Sequence, residues 1–464
     1  TLYDFLAHRA LEFYINDESG LTLPPEEFVI SDSLYFQPVE GFAEMVITSP
    51  DSLSLKYQAA LLYQDLIRFH LFDKDVSALM EVNLDRLEFF YQNARLSNAE
   101  KHYEAALRLE MLQYAANPVS ALAAFKLATL YNNRAGKYNP ELSEDYRWHF
   151  KIAAEICDHA EKAFPRSIGG QSCATLSSQI KHPVLQITSE QYVQPNMPVK
   201  VLLELKNLGG VEIKIYRIPH STGAEDYNPD ESWQRDNYKK VRELSRKKPL
   251  WSQSFSFENQ GDFRSHSFEL ALTSLPIGNY IIIGSSAYGD SLKPSTTVGY
   301  SIFSSTNNSY VTPNRSDGSM MILNRSSGLP IKDAQLRIFH REWERKKSVY
   351  THKQVWSGTS DAEGIIKVPT DLAYNSGKVL ITSGADTLQI FNHYFYDYGD
   401  RRYKTNRCLL FTDRSIYRPG QTIHVKGLLY ESDGEKIYNL MPNTSVTAYF
   451  YDSNYQLVAS QNLK

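Results

Sequence analysis

Over residues 1–182 apolar side chains recur at spacings of three and four. Leu55, Ala59, Leu62, Leu66 and Phe69 form one such set, and Tyr146, Phe150, Ala153, Cys157, Ala160 and Phe164 another. Each set draws one apolar stripe along a helix. Boundaries are marked as well. Asn139 can cap a helix with Pro140 at its first position and Glu141 in its first turn, Pro165 ends the second stripe, and Ser167 can cap the next helix. From Ala106 to Ala163 the pattern predicts paired helices of tetratricopeptide type, with Ala121, Ala124 and Ala128 where helices pack closely. An irregular helical domain is the alternative, since no fixed period persists.

At His182-Pro183 the period drops to two. Val184–Thr188, Val199–Leu205, Val211–Arg217 and Tyr280–Gly284 read as strands separated by turn residues, and Val211, Ile213 and Ile215 share one face while Glu212 and Lys214 take the other. This predicts an all-β sandwich over 183–305. A polar stretch at 218–250 interrupts it, and Ser232–Lys247 can form a short charged helix. Its basic residues (Lys239, Lys240, Arg242, Arg246, Lys247, Lys248) fit either an anion-binding patch or a solvated insertion diluted by Asp226, Asp230, Glu231 and Glu243. A second sandwich is predicted over 306–400, where Gly328-Leu-Pro330 leads a strand and Asp361-Ala-Glu-Gly364 closes a hairpin. A third opens within 401–464. The fold class is therefore multidomain, a helical bundle followed by serial immunoglobulin- or fibronectin-like sandwiches.

The third sandwich opens on the most specific segment of the chain, Phe411-Thr-Asp-Arg-Ser-Ile-Tyr-Arg-Pro-Gly-Gln-Thr-Ile-His-Val-Lys-Gly427. Pro419 presets φ and Gly420 accepts positive φ, which suits the centre of a type II turn. Cys408–Thr412 reads as the strand before it, and the alternation of Ile423 and Val425 as the strand after. Thr412, Asp413, Arg414, Tyr417, Arg418, Pro419, Gly420 and Thr422 together resemble the motif that opens a β-sandwich of the α2-macroglobulin family. The two arginines read as partners of neighbouring carboxylates or a sheet edge, so the whole motif is expected to be structural. The helical front end is similar to bacterial rather than animal members, whose chains open directly on sandwiches.

Composition narrows the chemistry. Among 464 residues the net charge is −4, which gives no general basic field for nucleic acid. The 31 tyrosines and 22 phenylalanines suit sandwich surfaces without specifying a ligand. No apolar run is long enough to span a membrane. The sequence holds no His-Glu-x-x-His, Gly-x-Ser-x-Gly, phosphate-binding glycine loop or Gly-x-Gly-x-x-Gly. Catalytic residues, metal and cofactor are accordingly expected to be absent. His393 and Asp397 would share a strand face, but two ligands make no metal site. Three cysteines build neither a disulfide framework nor a zinc site. Cys157 and Cys173 each lie eight residues from Pro165. A helical corner there would set them at matching height, which permits a disulfide in an oxidising compartment; the alternative is two buried thiols acting as small apolar residues.

The resemblance implies the rest. Family members with a thioester carry it in a Cys-Gly-Glu-Gln segment that none of the three cysteines begins. It implies the structural, non-enzymatic N-terminal part of a broad-spectrum endopeptidase inhibitor that entraps proteases, with reactive segments downstream. Proteases are then targets of the full-length protein, and the helical domain offers a face for a protein or peptide partner. The expected setting is periplasmic, cell-surface or secreted, with an anchor outside this stretch, and the expected state is monomeric. Because the chain opens at Thr1 without Met and stops early in a sandwich, a fragment of a longer protein is expected. A cell-envelope scaffold, helical repeats on sandwich spacers without inhibitor activity, is the alternative.

Overall fold

The computed structural model describes residues 1–15, 27–219, 241–286, 296–312, 318–344, 349–369, 372, 377–393, 405–414, 417, 420–432, 438–452 and 454–463. The chain divides into two compact units. The first runs through Ile218 and includes the described residues 241–303; the second begins at Ser304.

Helices α1 (Leu2–Tyr14), α2 (Val39–Glu44), α3 (Leu55–His70), α4 (Ser77–Asn93), α5 (Ala99–Gln113), α6 (Ser120–Ala135), α7 (His149–Ala163) and α8 (Ile168–Lys181) open the first unit around one shared core. On α3 the buried face is Ala59, Ala60, Tyr63, Leu66, Ile67 and His70, while Phe69 sits at its edge with 47 % exposed. Ala121, Ala124 and Ala128 are all buried. Ser167 caps α8 by accepting a hydrogen bond from the Gly170 amide at 3.0 Å. The start expected at Asn139 is a single turn. Asn139 does accept from the Glu141 amide at 2.9 Å, but Tyr146 adopts φ 65°, and α7 begins only at His149. A left-handed residue cannot continue a right-handed helix, so the stripe is broken there.

In the second half of this unit, strands β1 (Val184–Ser189), β2 (Tyr192–Val193), β3 (Pro198–Lys206), β4 (Gly210–Ile218), β5 (Trp251–Ser256), β6 (Ser265–Ser274), β7 (Gly278–Ser285) and β8 (Val298–Ser305) make two sheets. Their orders are β1-β3-β6 and β2-β8-β7-β4-β5. Leu185, Val201 and Leu203 from one sheet and Val211, Ile213, Tyr280 and Ile282 from the other share a core, the arrangement of a sandwich. Glu212 and Lys214 do lie on the opposite face of β4, but Lys214 is only 8 % exposed and pairs with Glu212 at 3.3 Å. Of the charged stretch 232–247, only 241–247 is described. Residues 241–245 are helical, and Val241 and Leu244 are buried, so that turn is packed and not simply solvated.

The second unit carries β9 (Asn308–Val311), β10 (Ser319–Asn324), β11 (Gln335–Glu344), β12 (Val349–Thr359), β13 (Ile365–Lys367), β14 (Gly377–Ser383) and β15 (Asp386–His393), in sheets β13-β10-β9 and β12-β11-β14-β15. Asp386, 5 % exposed, ties the entry of this module together: it accepts from the Thr306 hydroxyl at 2.8 Å and the Asn307 amide at 2.7 Å. Asp361 accepts from the amides of Glu363 and Ile365, and Gly364 takes φ 74°. The expected tight turn is therefore present. It does not close a hairpin, however, because β12 and β13 belong to different sheets; the turn carries the chain from one sheet to the other. After it come β16 (Thr405–Thr412), β17 (Val425–Ser432), β18 (Tyr438–Leu440), β19 (Val446–Tyr451) and β20 (Leu457–Leu463), in sheets β16-β17-β18 and β19-β20.

Candidate functional site

Among the described residues three places concentrate chemistry: a strand corner, a helical groove and the seat between helices and sandwich.

The corner joins β16 to β17, which pair antiparallel from Thr405↔Ser432 to Thr412↔Val425. At its mouth the Asp413 amide donates to the His424 carbonyl at 3.1 Å, and the His424 amide donates back to the Asp413 carboxylate at 3.0 Å. The Tyr417 hydroxyl donates to the same carboxylate and accepts from the Arg414 amide at 3.0 Å. The Thr412 hydroxyl donates to the Arg414 carbonyl at 2.7 Å. Tyr417 first, and the His424 amide after it, hold the Asp413 carboxyl below its ordinary range. Gly420 has φ 83°, the value a type II turn asks of its third residue. Thr422 lies before β17, which starts three residues later, at Val425. Arg418 and Pro419 lie outside the described residues. The Arg414 guanidinium is 61 % exposed and lies 3.8 Å from the Asp413 carboxylate. Each of these polar contacts ties the corner to itself.

The groove lies in the helical region. It has a volume of about 520 Å³ and is walled by Met111, Leu112, Ile156 and Phe164 over a floor of alanines that includes Ala121 and Ala124. Arg108, Glu155 and His159 edge it. Behind Arg108 stands an ion cluster that fastens α5 to α6. Arg134, 9 % exposed, donates to Glu104 at 2.6 Å and to Glu100 at 2.9 Å, and Tyr131 donates to Glu104 at 2.7 Å. Arg108 contacts both Glu104 and Tyr131. Burial alone would raise the Glu104 carboxyl, but hydrogen bonds from Tyr131, Arg134 and Arg108 overcome it and hold it at about 2. A carboxyl depressed on folding stabilises the fold fully above its unfolded value, near 4.5, and loses that contribution as pH falls toward 2. E104Q is thus expected to lower Tm at pH 7 by about 2–5 °C, a modest figure because the cluster is partly solvated. The gap to the parent should close as thermal melts are taken from pH 5 down to pH 2.5.

The seat is made by the loop before β6. The Arg264 guanidinium donates to the carbonyls of Ala135 (2.8 Å), Tyr146 (2.8 Å) and Arg147 (2.9 Å), and lies 4.4 Å from the Tyr138 ring centroid. Phe263, at φ 57°, packs against the helical core. Asp262, 2 % exposed, accepts from the Arg264 amide at 3.0 Å and sits 2.9 Å from His266 Nε2. Asn207 donates to the Ile180 carbonyl at 3.1 Å.

Sequence reading missed both the ion cluster and the seat. Glu100, Glu104 and Arg108 do recur at i, i+4 on one helix, a signal for charge pairing, but their partner Arg134 comes from another element. Nothing in the 260–264 segment announces that it docks. Cys157 and Cys173 are both fully buried thiols, whereas Cys408 is exposed. His393 packs edge-on against Tyr310, and burial lowers its pKa to about 4; Asp397 lies outside the described residues. Among the described residues no group of three or more His, Cys, Asp or Glu is placed to hold a metal ion, and no helix is long and apolar enough to cross a membrane.

Residues 407–464 match the model of the MG2 domain, a stretch that contains the whole corner. No curated protein matches the chain. Among solved structures the chain is similar to Escherichia coli alpha-2-macroglobulin activated by porcine elastase, at 11 % identity and a TM-score of 0.19. The match covers 54 % of this chain and 24 % of that one.

Proposed function

We propose, for a chain that belongs to the macroglobulin family by its MG2 domain, the role of a non-catalytic wall and binding arm in a protein that inhibits endopeptidases by entrapping them. The observation that carries this reading is the MG2 match over a corner in which Asp413, Tyr417 and the Arg414 and His424 amides bind one another. Contacts of this kind build a module. The sandwiches would frame the compartment, and the helical region would present its groove to a protein or peptide. A periplasmic, surface or secreted setting, in which foreign proteases are met, belongs to the same reading. Reactive segments would lie outside these residues, since none of the three cysteines begins a Cys-Gly-Glu-Gln segment.

Entrapment has a kinetic mark that active-site blockade lacks: the caged protease keeps its activity on small substrates and loses it on large ones. The full-length protein is incubated with a broad-specificity serine protease, and residual activity is read on a chromogenic peptide and on a large protein substrate. The expected result is at least a tenfold greater loss on the large substrate, with protease co-migrating on a native gel. Equal activity on both substrates, with no co-migration, would overturn the reading. It would favour the envelope scaffold, for which the apolar groove is the supporting observation.

A further inference from the structure

Helices α7 and α8 run antiparallel about the Phe164–Ser167 corner. Asp158 fixes their register: it accepts from the Ser177 hydroxyl at 2.6 Å and from the Lys181 ammonium at 2.6 Å. Cys157 precedes Asp158 by one residue, and Cys173 precedes Ser177 by one helical turn. The two side chains lie on packed neighbouring helices, near enough to one another to interact. Both are wholly buried, in the same core as Ala121, Ala153 and Ala160. Glycines let the start of α8 approach both α6 and the corner closely. A Cβ at Gly169 would stand 2.2 Å from the Ala121 carbonyl carbon, and one at Gly170 2.0 Å from the Phe164 carbonyl oxygen. The third thiol, on Cys408, is exposed and in the other unit.

We propose that Cys157 and Cys173 are a disulfide site that staples the α7–α8 hairpin when the chain folds in an oxidising compartment. The two thiols give up two protons and two electrons to an exchange partner, a low-molecular-weight or protein disulfide. One S–S bond forms in the chain, and the partner's S–S bond breaks to leave two thiols. Because both sulfurs end fully buried, the exchange takes place while the hairpin is still open. The consequence reaches the groove, since Ile156, His159 and Ala160 on α7 line it. A staple beside it would fix that wall against α8. The inference stands apart from the inhibitor reading, because it rests only on the hairpin.

The test counts thiols without any substitution. The chain is refolded in a buffer of reduced and oxidised glutathione, quenched with acid, denatured and alkylated, then mapped by mass spectrometry with and without prior reduction. One alkylated cysteine, Cys408, is expected before reduction and three after, with a Cys157–Cys173 linked peptide 2 Da lighter than its two free halves. Reduction of the folded protein is expected to lower Tm by roughly 5–10 °C. Three alkylated cysteines without reduction, or a linkage that includes Cys408, would overturn the proposal.

Discussion

Replacing Gly169 by Ala is expected to destabilise the first unit by about 2–4 kcal/mol, although the same exchange inside a helix ordinarily stabilises by about 1 kcal/mol. The sign reverses because of what the new methyl meets. Gly169 is in the first turn of α8, and an added Cβ would lie 2.2, 2.4 and 2.5 Å from the carbonyl carbon of Ala121, the amide nitrogen of Leu122 and the carbonyl oxygen of Ala121. These are backbone atoms of α6, so no side chain can swing aside. The helices must separate, and the alanine floor of the groove, which includes Ala121 and Ala124, separates with them. Gly136 serves as the control. It sits at φ −65° with its nearest neighbour 3.4 Å from the built Cβ, so Gly136→Ala is expected to leave stability unchanged or raised by up to about 1 kcal/mol. Thermal melts of the two variants side by side check the contrast. Equal behaviour would show that α6 and α8 do not pack at backbone contact.

Arg264→Ala is expected to cost about 2–3 kcal/mol and to loosen the helices from the sandwich without unfolding either. Its guanidinium donates to the carbonyl of Ala135, the last residue of α6, and to those of Tyr146 and Arg147, just before α7. It also covers the rings of Tyr138 and Phe150, at 4.4 and 5.0 Å. Burial pushes its pKa down from the ordinary arginine value, which marks how far the cation is withdrawn from water. Lysine keeps the charge but not the planar fork, so Arg264→Lys should restore less than half of the loss. Hydrogen exchange reads the effect locally. Amides of 136–148 are expected to lose protection tenfold or more, while β4 and β7 keep theirs. Unchanged exchange in that segment would mean that the seat is held elsewhere.

The seat also bears on what could be read in advance. Strands were legible because burial on β1 and β3 alternates with a period of two, and on β4 Val211, Ile213 and Ile215 are each fully buried. The α7–α8 corner was legible because Pro165 and Ser167 act locally. The helix expected at Asn139 was not, because its capping chemistry is real and the later φ 65° of Tyr146 is imposed by contacts far off in sequence, among them the bond from Arg264 to the Tyr146 carbonyl. The Asp361–Gly364 turn shows the same limit. Its residues specify a tight reversal but not whether the next strand joins the same sheet. The corner at 412–424 was readable as a unit because its partners, Asp413, Tyr417 and His424, lie within eleven residues of each other. Arg264 and its three carbonyls are separated by more than a hundred residues, and nothing local encodes that distance.

That the corner is a structural device and not a binding site is the claim on which the functional reading turns, and Asp413→Ala tests it most directly. The carboxylate receives both the Tyr417 hydroxyl and the His424 amide, so its removal is expected to open the mouth of the β16–β17 ladder. Hydrogen exchange followed by mass spectrometry should show faster exchange across Thr405–Thr412 and Val425–Ser432, with the first unit unaffected. Unchanged protection in both strands would contradict the claim and mean that Asp413 does not hold the corner together.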